Sequence, residues 1–144
     1  MRFRGFLASV FACAFAVCAC VCVRVCTISK FHDIDGQHTF YLDSVSSQAL
    51  IKTKLSFADL PRVKGESVSF FVQNQNPDSL AKDIAKRYGA QILFTERTGD
   101  ILSYYAFSPE LGAGVIVQGV PVNLHIAIAK DRGAVGSPLI FGGF

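Results

Sequence analysis

A chain of 144 residues, 51% hydrophobic and 17% charged, fits one globular domain with a core of its own. Its net charge of +3 is unevenly placed: residues 1–30 hold four basic residues and no acid, and residues 31–144 hold the other ten basic residues and all eleven acids. The globular part is therefore net −1, which excludes the basic face a nucleic-acid binder needs, so no nucleic-acid partner is expected.

The first segment, MRFRGFLASVFACAFAVCACVCVRVC, sets two arginines before an uncharged run from Phe6 to Val23. That length is near the lower limit for a bilayer-spanning helix, and leading basic residues favour an N-terminus inside the cell. Residues 1–26 read as a membrane anchor or a signal peptide, with residues 6–23 meeting the membrane. The remainder is then expected outside the cytoplasm, membrane-anchored or secreted. Val17-Cys18-Ala19-Cys20 also carries a lipoprotein-box pattern, with Cys20 as the residue to be acylated. All five cysteines (Cys13, Cys18, Cys20, Cys22 and Cys26) fall in this leader. They alternate with Ala and Val, where cysteine acts as a small hydrophobe rather than as a metal ligand held on a folded scaffold. The globular part has no cysteine, hence no disulfide and no thiol nucleophile.

Residues 27–38 read as a linker, and 39–144 as a single α+β domain. Thr39–Leu42 and Ala49–Leu55 have strand composition; the alternation in the second predicts a half-buried strand. Phe57–Pro61 reads as a turn anchored by Phe57 and Leu60, and Lys64-Gly65 as another turn. Ser67–Val72 follows as a strand, with Val68, Phe70 and Val72 on one face; Phe71 on the other implies that both faces are covered. NPDSLAKDIAKRYGA predicts a helix over about 77–88. Asn76 caps it, Pro77 takes the first position, Leu80, Ala81, Ile84, Ala85 and Tyr88 form the apolar stripe, and Gly89 ends it.

Ala90–Glu96 and Ile101–Ser108 read as a hairpin turning at Arg97-Thr98-Gly99-Asp100. Gly112–Gly114 is a loop. Val115–Val117 and Val122–Ala129 flank Gln118-Gly119. In the second of these, Val122, Leu124, Ile126 and Ile128 face one way and Asn123, His125, Ala127 and Ala129 the other. The chain turns at Asp131-Arg132-Gly133, and Val135–Phe141 is the last strand. Together these predict an antiparallel β-sheet with one amphipathic helix on one face, preceded by an N-terminal hydrophobic helix.

Chemistry-bearing residues are few. His32, Asp33, Asp35 and His38 could supply nitrogen and oxygen ligands, but a linker has no frame to set metal geometry. Asn123 and His125 could do acid–base work, yet no nucleophile elbow accompanies them. Gly133–Gly136 precedes a strand, so no helix N-terminus waits there for phosphate. Tyr104, Tyr105 and Phe107 could stack a ligand, and equally serve as cross-strand pairs. No catalytic, cofactor-binding or metal residue is assigned, and no cofactor is expected. The apolar LIFGGF ending either pins an interior strand or offers a sheet edge to a protein partner or a second copy.

The helix before GAQILFTE, then SYYAFS, VNLHIAIA and AVGSPLIFGGF, resembles the end of the YwmB-like family. A closing NLxIA strand followed by a vGTP strand corresponds here to Asn123-Leu124-His125-Ile126-Ala127 and Val135-Gly136-Ser137-Pro138. The resemblance covers residues 67–144. It implies an exported protein of a spore-forming bacterium, linked to the cell envelope or sporulation, with a fold related to the TATA-box-binding-protein fold. The chain is about half the usual family length, and residues 39–66 match nothing in that pattern. No activity or site residue comes with the family. The expectation is an extracytoplasmic, non-catalytic interaction domain. The alternatives are a small metal-dependent or His-based enzyme using His32, His38 or His125, and DNA binding by fold analogy, which the −1 charge opposes.

Overall fold

A computed structural model describes residues 10–19, 29–44 and 50–141. The chain divides into two units, Met1–His32 and Asp33–Phe144. In the first, residues 10–19 form helix α1, and Cys13 and Cys18 are free and exposed. No helix among the described residues is long and apolar enough to cross a membrane. The ends of the apolar run, with Cys20, Cys22 and Cys26, lie outside the described residues.

The second unit is α+β. Its strands are β1 (Gln37–Leu42), β2 (Leu50–Lys52), β3 (Val63–Phe71), β4 (Gln91–Thr98), β5 (Ile101–Phe107), β6 (Val115–Val117), β7 (Val120–Val122), β8 (Leu124–Ile128) and β9 (Arg132–Ser137). Seven form one sheet in the order β2-β1-β3-β9-β8-β5-β4, and β6 and β7 form a separate hairpin. Every pair in the large sheet is antiparallel. The last strand thus enters the gap between β3 and β8 and joins the two halves of the sheet.

Helix α2 (Pro77–Arg87) forms where the sequence predicts it. The Asn76 side chain accepts from Asp78 N–H at 2.9 Å and Ser79 N–H at 3.2 Å, satisfying two of the orphan donors of the first turn. Gly89 takes φ of +57°, as a C′ glycine does. Ala81, Ile84, Ala85 and Tyr88 are buried on its inner side. Beneath it lie Val68, Val135, Ile126 and Tyr104, one register row across β3, β9, β8 and β5. All four are buried. Leu124, Ile126 and Ile128 alternate along β8 and are buried, as is Val122 at the end of β7.

Elsewhere the chain departs from its local signals. Only Leu50–Lys52 of the Ala49–Leu55 segment is strand, and Leu50 and Ile51 are exposed; Ala49 lies outside the described residues. Phe57 is no anchor, because it is exposed. Asp59 is buried there instead, in a 3-10 turn over Phe57–Arg62. Lys52 Nζ donates to its carboxylate at 2.7 Å, and Ser56 donates through N–H at 2.8 Å and Oγ at 2.6 Å. Those donors, Lys52 first, hold the Asp59 carboxyl well below the usual carboxylate range. Lys64-Gly65 is not a turn but the start of β3. Gly65 permits a close approach, since a Cβ there would lie 2.9 Å from the Ser137 carbonyl oxygen.

Phe71 is 90% exposed, so its face is uncovered at that point. Val122–Ala129 is not one strand but two, broken at Asn123. The final strand begins at Arg132 and ends at Ser137, earlier at both ends than its composition indicates. Residues 138–141 are not strand at all. The Asp131-Arg132-Gly133 turn moves back accordingly, with Ala129 N–H bonded to the Arg132 carbonyl at 2.8 Å. β9 is central and offers no free edge; LIFGGF follows it, and residues 142–144 lie outside the described residues. The edges among the described strands are β2 and β4.

Candidate interaction face

The two sides of the sheet differ in chemistry. Tyr104 Oη donates to Asp78 of α2 at 2.6 Å, which fixes the side the helix covers. Side chains alternate along a strand, so Tyr105 points to the opposite side, open in that no helix among the described residues of this unit covers it. Cross-strand register then lines up Phe94, Tyr105, His125, Gly136, Ser67 and Thr39 from β4 to β1 on that open side. A bulge between Ile92 and Phe94 puts Phe94 into this row. The rings of Phe94 and Tyr105 stack with centroids 4.5 Å apart and planes 15° off parallel, and Tyr105 and His125 stack at 4.5 Å and 11°. Stacked aromatic pairs of this kind contribute roughly 0.5–1.5 kcal/mol each beyond area burial.

Two chain segments frame the ladder. The β6–β7 hairpin turns at Gln118 (φ +50°) and Gly119 (φ +81°), the two left-handed positions of a type I′ turn. It sends the Gln118 side chain onto the Glu96 carboxylate. At the other end residues 138–141 fold back over the sheet. Ile140 N–H donates to His125 Nδ1 at 3.3 Å, and Tyr41 Oη donates to the Phe141 carbonyl at 2.5 Å. Tyr41 and Phe141 also meet edge to face at 5.0 Å. Ile51, opposite Tyr41, and Phe141 remain about half exposed. This side thus carries the aromatic ladder toward β4 and Ile51, Tyr41 and Phe141 toward β2, with Gly136, Ser67 and Thr39 in the row between them.

The protonation state of His125 follows from these contacts. Nδ1 accepts from Ile140, so the neutral ring carries its proton on Nε2. That atom is buried and finds no protein partner among the described residues. Burial alone pushes the His125 pKa down to about 4. Burial and then the Glu96 carboxylate raise that of Tyr105. At neutral pH the ladder is uncharged. Among the described residues the one side-chain hydrogen bond of His125 is the one from Ile140 N–H.

The other sequence candidates are distributed elsewhere. Asn123 is fully buried where β7 ends and β8 begins. Its Oδ1 accepts from Ser108 N–H at 2.7 Å, and its Nδ2 donates to the Ser108 carbonyl at 2.6 Å and the Gly112 carbonyl at 2.7 Å. It clips loops together. Tyr104 belongs to the helix side and Tyr105 to the open side, so they cannot stack one ligand. Gly133–Gly136 lies within β9, with Gly133 beneath the Phe70 ring.

The linker ligands are separated. Asp33 receives the Tyr88 hydroxyl at 2.5 Å and Arg87 Nη1 at 3.4 Å. His38 Nδ1 meets the buried Glu66 carboxylate at 2.9 Å. Asp35 lines an open cleft of about 590 Å³ with Gln37, Ser69, Phe71 and Arg132. Among the described residues no three His, Cys, Asp or Glu side chains converge on a metal position. Compared with known protein families, curated proteins and solved structures, the chain matches none.

Proposed function

We propose that this protein is a non-catalytic interaction domain, held at or exported across the membrane by its apolar leader, which meets a protein partner through the open side of its sheet. One observation carries the reading. The helix seals one side of the sheet with aliphatic residues, while the other side spends Phe94, Tyr105, Ile51, Phe71 and Phe141 on a surface that is half solvent-facing. Such aromatic-rich surface marks contact sites on soluble domains. The neutral ladder suits a partner of matching apolar character. Membrane contact through residues 6–23, and a setting like that of the YwmB-like exported proteins, are parts of the same proposal.

The test is assembly. Phe94→Lys with Tyr105→Lys places two ammonium groups in the ladder and leaves the helix side untouched. On a native gel the detergent-extracted wild type is expected to run above its monomer mass and the double variant at it. Wild type and variant both running as bare monomers would remove the reading.

A further inference from the structure

Residues 138–141 leave β9 at Ser137 and return across the open side as a strap. The floor below them is shaped for a chain. A Cβ on Gly136 would lie 2.8 Å from both the Ile140 nitrogen and its Cγ1, and one on Gly65 would lie 3.2 Å from Pro138 Cδ. Only glycine lets the strap come this close. Two side chains read the strap's backbone rather than its side chains: His125 Nδ1 takes the Ile140 N–H, and Tyr41 Oη serves the Phe141 carbonyl. Tyr41 Oη also lies 3.0 Å from Ser67 Oγ, which fixes its direction. Leu139 and Ile140 are half-buried against this surface, while Phe141 is 46% exposed.

Backbone read by fixed polar groups, with side chains laid on apolar surface, is how folded domains take up short peptides. We propose that this slot is a peptide-binding site whose resident occupant is the strap, and that the partner's segment is a short uncharged run of Leu-Ile-Phe type that replaces it. The proposal rests on the interaction-domain reading and names the partner's chemistry. The seated residues argue for that occupant, since their own sequence fits the slot. A neutral His125 and a glycine floor offer nothing to a charged segment. The strap, being tethered, competes at an effective concentration in the millimolar range. A weak partner is therefore shut out until the strap lifts.

The experiment uses the full chain and a fluorescent Ser-Pro-Leu-Ile-Phe peptide, read by anisotropy. Ile140→Asp puts a carboxylate against the sheet and should eject the strap. That variant is expected to bind the peptide at least about tenfold more tightly than wild type. Adding Gly136→Val should return binding to the wild-type level, and a peptide with Asp in place of Ile should not bind. If Ile140→Asp does not fold, Ile140→Ala with Phe141→Ala loosens the strap more gently and the same ranking is expected. A folded strap variant that binds no better than wild type, or binding that survives Gly136→Val, overturns the proposal. Phe94→Lys alone keeps Tyr105 stacked on His125 and the slot in place, so the assembly test in that form and the peptide test fail separately.

Discussion

Asn123→Ala is expected to cost the domain about 3–4 kcal/mol, a large fraction of the stability of an ordinary domain. The side chain is wholly buried and makes three hydrogen bonds of 2.6–2.7 Å. Alanine leaves the Ser108 N–H and the Ser108 and Gly112 carbonyls without that partner, and stranding a buried polar group costs roughly 1–3 kcal/mol each before relaxation. The damage spreads, because Ser108 is itself a junction. Its Oγ donates to the Tyr88 carbonyl at 2.5 Å at the end of α2 and accepts from Glu110 N–H at 3.1 Å. Asn123 therefore ties the loop after β5 to both the helix and the start of β8. In urea, with a slope of about 1–3 kcal/mol per molar, the midpoint should fall by roughly 1–4 M. A fall of less than about 0.5 M would show that the clip is dispensable.

Acid is expected to weaken the fold through His125. Burial sets its folded pKa at about 4, below the ordinary 6.5. Between those values the unfolded chain binds more protons than the folded one, so stability rises with pH across the window. The contribution is whole above pH 6.5, is lost progressively on going down to pH 4, and is constant below. The shift corresponds to a loss of roughly 3 kcal/mol. Geometry gives the same sign, since a proton on Nδ1 would oppose the Ile140 N–H that points at it. Urea midpoints for wild type and His125→Gln between pH 7.5 and 4 measure this. Glutamine should be less stable at pH 7.5 and flatter with pH. Parallel curves would mean that His125 is not the group responsible.

Much of the fold is local and could be read from the chain. Asn76, Pro77 and Gly89 punctuate the helix, Gly99 the β4–β5 hairpin, and the alternation of Leu124, Ile126 and Ile128 marks a face, because each signal is set by near neighbours. What escaped depends on partners far along the chain. Gly65 looks like a turn residue until Ser137 is laid against it. Phe71 looks like evidence of a second covered face, yet nearly all of it meets solvent.

The same limit hid the site. Tyr105 and His125 are visible as outward residues of two strands, but their stacking depends on β5 pairing with β8 in one register. Phe94 joins only because a bulge turns it to the open side. Asn123 reads as a strand residue, whereas the strand stops there to give it three backbone partners. No short motif encodes a strand that closes the centre of a sheet from the far end of the chain, as β9 does.

The most direct measurement is site-specific photo-crosslinking in the full chain in its native cell. A benzoylphenylalanine replaces Phe94 on the open side in one protein and Lys82 on the outer face of α2 in another. A discrete heavier species is expected from position 94 and none from position 82. No crosslink from position 94, or the same species from both positions, would contradict the claim that the open side of the sheet is where this protein meets its partner.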